Sequence, residues 1–176
     1  YKRQVLRLAS GEERSGLDLK KLIDEARLVR TVLNGIHSRY DRSVIEQAAI
    51  AGMLKPITDA ATAEAGARRI ADRLDAIAED TERGWQGRVE QNGIILERTL
   101  RGVKQVATLD AALLASADAR KLDEHAASLG IYSGAASLLR KGESEQVSGP
   151  LSLLEGVMLT GRKGLTMQRY KGLGEM

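Results

Sequence analysis

Two cations, an aromatic ring and two close glycines fall within the last nine residues, Gln168-Arg169-Tyr170-Lys171-Gly172-Leu173-Gly174-Glu175-Met176. Arg169 and Lys171, interleaved with Tyr170 after the strand-like lead-in Leu165-Thr166-Met167, offer charge to a polyanion as a strand edge would. Gly172 and Gly174 let the backbone turn sharply or approach a phosphate closely. The chemistry this suits is phosphate contact, which positions a nucleic acid without reading its bases. A basic chain end meets the same spacing, because a lone Gly-x-Gly pattern is common.

The other reactive residue types form no catalytic pattern. His37 and His125 have no partner His or Cys at ligand spacing, so zinc is not expected. Asp72, Asp75, Glu79 and Glu82 recur at three- and four-residue intervals, a row that Mg²⁺ can use. Arg68, Arg69, Arg73 and Arg83 are interleaved with them, and a solvated helix face laced with ion pairs is the expectation. Gly161-Arg162-Lys163-Gly164 has the form of a KH-type clamp, but a strand follows it where a helix is required. Neither a Gly-x-Ser-x-Gly elbow nor a phosphate-cradling Walker loop is present. Trp85 follows a helix and is expected to pack on it. Basic pairs recur at Arg68-Arg69, Arg120-Lys121, Arg140-Lys141 and Arg162-Lys163, and they matter together only if the fold gathers them.

The nine terminal residues resemble the signature that closes the TOPRIM region in the B-subunit family of bacterial DNA gyrase. The B subunits of topoisomerase IV carry a very similar signature but lack the large insert that precedes it in gyrases of the Gram-negative type. The body ahead of Leu165 is similar to that insert in position, length and general pattern. The resemblance implies residues 1–8 as a strand leading into the insert, 9–163 as the insert, and 164–176 as the closing TOPRIM strand and loop. It also implies that Arg169 and Lys171 lie near the DNA gate, with Gly172 and Gly174 shaping the loop. The implied parent enzyme, an A2B2 heterotetramer with the gyrase A subunit, uses ATP and Mg²⁺ to pass one duplex through another and introduce negative supercoils. The Glu-Gly-Asp-Ser-Ala and Asp-x-Asp motifs that hold the metal are missing from this sequence. The expectation is therefore a non-catalytic piece of a longer chain, with no cofactor of its own.

Composition narrows the classes further. Across 176 residues, 27 Lys and Arg against 24 Asp and Glu leave a formal charge of +3, which permits contact with DNA without demanding it. The absence of cysteine excludes disulfides and thiolate metal sites and fits a reducing cytoplasm. No apolar run approaches the roughly 18 residues that span a bilayer, so no membrane partner is expected. Four tyrosines, one tryptophan and no phenylalanine put a base-stacking platform low among the candidates, and the core must come from Leu, Ile, Val and Ala.

The elements that carry these residues read as an α+β fold: a helix-rich body with small antiparallel hairpins and a terminal strand. A short strand over 1–8 precedes a long helix whose stripe is Leu19, Leu22, Ala26, Val29, Leu33, Ile36 and Tyr40. That stripe serves a core helix or an intermolecular coiled coil, so a helical protein-binding scaffold is the second reading. Ser43-x-x-Glu46 predicts a capping box opening a second helix, and a third is expected from about Ala63 to Thr81, with Ile70, Leu74 and Ile77 inward. Asn92-Gly93 predicts a hairpin turn, Gly102 a second turn, and Asp110 a cap on a helical run broken near Ser116–Asp118. A second hairpin is expected around Lys141-Gly142, then a helix from Pro150.

Overall fold

A computed structural model of the chain describes residues 4–158. It is α+β, with two antiparallel sheets and helices, and it divides into two compact units. Arg169, Lys171, Gly172 and Gly174 lie outside the described residues.

Among the described residues the first unit joins 4–28 with 134–158. Its sheet runs β2 (Glu13–Ser15), β1 (Val5–Arg7), β6 (Ala136–Arg140), β7 (Glu143–Val147), every pair antiparallel. Leu6 lies opposite Leu138 in the two central strands, and both are buried. A helix over 150–158, α7, buries Leu153 and Leu154. Gly156 on it packs close to β6, since a Cβ there would sit 2.9 Å from Leu138 Cδ2 and the Leu138 side chain would have to shift. β2 is a strand where the sequence predicts only a break. Its three residues are too few to show alternation, and Gly11, at φ +91°, makes the hairpin possible.

Helix α1 (Gly16–Gly35) buries Leu19, Ile23, Ala26, Val29 and Leu33. Ile23 takes the place expected for Leu22, which is half-buried at the edge of the stripe. With the stripe inside the chain's own core, it is not the outward face that a coiled-coil scaffold needs.

The second unit, Val29–Ser133, holds α2 (Arg42–Ile50), α3 (Ala60–Ile77) and a meander of β3 (Gln86–Glu90), β4 (Gly93–Leu100) and β5 (Val103–Leu109). Short helices α4 (Ala111–Leu114), α5 (Ala117–Asp123) and α6 (Ala126–Leu129) follow. Ile70 and Leu74 of α3 are buried, as are Ile94 and Leu96 of β4 and Leu109 of β5. Ile77 is 43% exposed, because α3 ends there and the chain turns away.

Two local predictions shift by a residue or two, each for a visible reason. The cap of α2 is Asp41, whose side chain accepts from the Val44 N–H at 3.2 Å, rather than Ser43. Glu46 cannot reach back to complete a box, since it is only 5% exposed and turned inward. The first hairpin pairs Glu90 with Gly93, so its turn is Gln91-Asn92, at φ +50° and +60°. Gly93 instead answers crowding: a Cβ there would lie 2.8 Å from the Leu109 carbonyl oxygen and 3.0 Å from the Asp110 Cα.

Candidate functional site

Among the described residues a groove of about 510 Å³ in the second unit has room for a ligand. It is lined by the loop Arg39-Tyr40-Asp41, by Trp85, by Arg98 of β4, by residues 105–108 of β5 and by Asp110. Local hydrogen bonds set each side chain. The His37 imidazole Nδ1 accepts from the Arg39 N–H at 3.0 Å, and the His37 carbonyl from the Tyr40 N–H at 3.1 Å, folding the loop after α1. Asp75 Oδ1 accepts from the N–H groups of Gly84 and Trp85, each at 3.0 Å, which fixes the entry into β3.

The charges are arranged in two guanidinium–aromatic pairs. The Arg39 guanidinium carbon lies 4.7 Å from the Tyr40 ring centroid, and that of Arg98 lies 4.7 Å from the Trp85 ring. Arg98 is held further by donating to Gln105 Oε1 at 2.8 Å and to the Glu82 carbonyl at 2.6 Å. The Tyr40 hydroxyl donates to the Asp110 carboxylate at 2.8 Å. Asp110 caps α4 by accepting from the Leu113 N–H at 2.9 Å, and Arg39 stands 3.7 Å away. The Leu113 N–H above all, then the Tyr40 hydroxyl and the Arg39 charge, hold the Asp110 carboxyl below the usual carboxylate range against the opposing effect of burial.

A depressed folded pKa adds stability above the unfolded carboxylate value of about 3.9, and that contribution disappears as pH falls through the folded value. Asp110→Ala should therefore cost about 0.5–2 kcal/mol at neutral pH as a lost cap. The gap between variant and parent chain, measured by urea unfolding, should close as the solution is made acid below the ordinary carboxylate pKa.

The two guanidinium groups, each held against an aromatic ring, give the groove the means to bind a ligand. Among the described residues no group of three His, Asp or Glu is placed to hold a metal ion. Asp41 and Asp110 are taken up as helix caps, and Asp75 as an anchor for Trp85. The sequence predicts Trp85 against its helix and Tyr40 at the end of the α1 stripe. The structure ties Trp85 to α3 through Asp75 and sets its ring against Arg98, and it places Tyr40 beyond the end of α1. Nothing local signals the Tyr40–Asp110 bond, since its partners are 70 residues apart. The basic pairs Arg68-Arg69 and Arg120-Lys121 are exposed, on α3 and α5 respectively. No helix among the described residues is long and apolar enough to cross a membrane.

The family model described as the DNA gyrase B subunit insert domain matches residues 9–149. The chain belongs to the DNA gyrase B subunit insert family. It is similar to the B subunit of DNA gyrase from Caulobacter vibrioides strain NA1000, 44% identical over 172 residues, which is 97% of this chain and 20% of that protein. It is also similar to the gyrase B subunits of Rickettsia typhi, 29% identical over 94% of this chain, and Rickettsia conorii, 25% identical over 98%. The chain spans about a fifth of the length of these relatives, 20% to 22%. The insert match stops short of Gln168–Met176, so the body and the terminal signature point to the same family independently.

Proposed function

We propose that this chain is the insert of a gyrase B subunit together with the closing strand and loop of its TOPRIM domain, and that it is not an enzyme by itself. The insert runs over 9–163, preceded by a leading strand in 1–8 and followed by TOPRIM residues 164–176. Within a cytoplasmic A2B2 enzyme completed by the gyrase A subunit, it steadies the DNA gate and supports contacts with DNA or with a neighbouring protein chain of the enzyme. Its parent introduces negative supercoils by ATP-dependent double-strand passage, using Mg²⁺ held by residues outside this sequence. The observation that carries this reading is the family match over 9–149, joined to the terminal signature.

Arg169 and Lys171 are the proposed phosphate contacts, with Gly172 and Gly174 shaping the loop that presents them. Each phosphate contact adds about 0.9 to the slope of log affinity against log salt. Removing Leu165–Met176 should therefore weaken duplex binding and flatten that slope by about 2, measured by fluorescence anisotropy over a salt series. Binding and slope that survive the truncation would transfer the contacts to the insert, and the pairs Arg68-Arg69 and Arg120-Lys121 would be next to test. A parent chain that, combined with the gyrase A subunit, gave no ATP-dependent supercoiling would overturn the gyrase assignment itself.

A further inference from the structure

We propose that the outer edge of β5 docks an extended acidic peptide segment, which adds to the sheet as a further strand. In the order β3-β4-β5, β5 lies at the edge. Its two-residue turn closes on the pair Leu100–Val103, and residues then pair alternately: Arg98 with Gln105, Leu96 with Ala107, Ile94 with Leu109. In such a hairpin the closing pair and every second pair after it bond to each other, so their N–H and C=O groups point into the sheet. The groups of Lys104, Val106 and Thr108 therefore point outward, and these backbone groups make no hydrogen bond among the described residues. Side chains do not cover them either: Lys104, Val106 and Thr108 are exposed, Val106 at 53%. A long uncovered edge is the feature that strand-adding peptides use.

The charge around the edge selects the occupant. Arg98 in the adjoining groove and Arg101 in the turn, where φ is +52°, face no carboxylate among the described residues, whereas Arg39 and Lys104 stand against Asp110 and Glu97. The nearby carboxylates are already engaged. Asp41 and Asp110 cap helices, and Glu97 is bridged by Arg88 at 3.0 Å and Lys104 at 3.2 Å. A strand carrying acidic side chains matches the remaining positive charge. A nucleic acid fits less well, because the outward carbonyls of Lys104, Val106 and Thr108 would face its phosphates, whereas a peptide meets them with N–H donors. This docking is separate from the terminal phosphate contacts proposed above and does not depend on them.

The test is a titration of a labelled peptide alternating glutamate with valine against the full chain, followed by fluorescence anisotropy. Binding that weakens with salt is expected. Val106→Pro removes one outward donor while leaving the inward bonds of Gln105 and Ala107 to β4, and it should weaken binding about tenfold. Amide shifts in the unsubstituted chain give a second readout: those of Lys104, Val106 and Thr108 should move more than those of Gln105 and Ala107. Shifts confined to other elements, or a folded Val106→Pro chain with unchanged affinity, would overturn the proposal. So would equal binding of a lysine–valine peptide, a single-stranded oligonucleotide taking the same edge in place of the peptide, or a self-association of the chain that Val106→Pro abolishes.

Discussion

Replacing Arg73 with alanine is expected to destabilise the protein by about 1–3 kcal/mol, the cost of leaving buried acceptors without their hydrogen-bond donor. Arg73 projects from α3 into a polar cluster inside the second unit. Its Nε donates to Gln47 Oε1 at 2.8 Å, and an Nη donates to the Tyr132 carbonyl at 2.9 Å. Gln47, fully buried, donates in turn to Glu46 Oε1 at 3.2 Å. Glu46 is 95% buried, its charge opposes the fall in Arg73 pKa that burial causes first, and it stays inside when Arg73 is truncated. Arg73→Lys should recover part of the loss, since a single ammonium cannot serve two acceptors with the geometry of a guanidinium fork. Adding Glu46→Gln to Arg73→Ala should recover part of the loss by removing a buried charge that then has one cation fewer near it. Urea unfolding of the four chains is the check, and a cost for Arg73→Ala under about 1 kcal/mol would reduce the cluster to the standing of a surface ion pair.

This cluster also marks where sequence reasoning stops. Hairpins are legible because their signals are local: alternation through Ile94, Leu96 and Leu100, glycines at 93, 102 and 142, and a switch from helical period to a period of two. The cap at Asp110 is legible for the same reason, since it accepts from an N–H three residues on; Ser116, read from the sequence only as part of a break, caps α5 in the same way. Glu46 and Arg73 instead resemble ordinary charged helix residues. In the sequence Arg73 belongs to a row of arginines among carboxylates, and only the fold turns it inward while Arg68 stays outside. Glu46 fits half of a capping box by its spacing from Ser43, and burial is invisible in spacing. The groove follows the same rule, since Arg39, Trp85, Arg98 and Asp110 come together from separated elements. Family membership is legible from the other end of the chain, in nine residues whose identity, rather than periodicity, carries the signal.

Gly87→Ala is the second large effect expected, about 1–3 kcal/mol or more from overpacking. Gly87 lies in β3, opposite Leu96, where the strand crosses α3. A Cβ built at Gly87 would collide with the carbonyl oxygen of Ala67 and come within 2.6 Å of its carbonyl carbon. Those atoms are helix backbone, so no side-chain rotation relieves the clash, and helix and strand must move apart. Separation would loosen the packing around Ile70 and Leu96, both fully buried. Gly66 makes an instructive contrast. The atoms nearest a Cβ there all belong to the Met53 side chain, whose three rotatable bonds let it shift, so Gly66→Ala should cost less. Gly35→Ala, with nothing within 4 Å at the end of α1, should change stability by under about 1 kcal/mol. The expected order of loss is therefore Gly87→Ala, then Gly66→Ala, then Gly35→Ala, read from denaturation midpoints at constant slope. If Gly87→Ala instead matched Gly35→Ala, the close approach of α3 and β3 would not be a constraint on the second unit. The groove on the same sheet, lined by Trp85, Arg98 and residues 105–108 of β5, would then rest on the Asp75 anchor and the β4–β5 ladder alone.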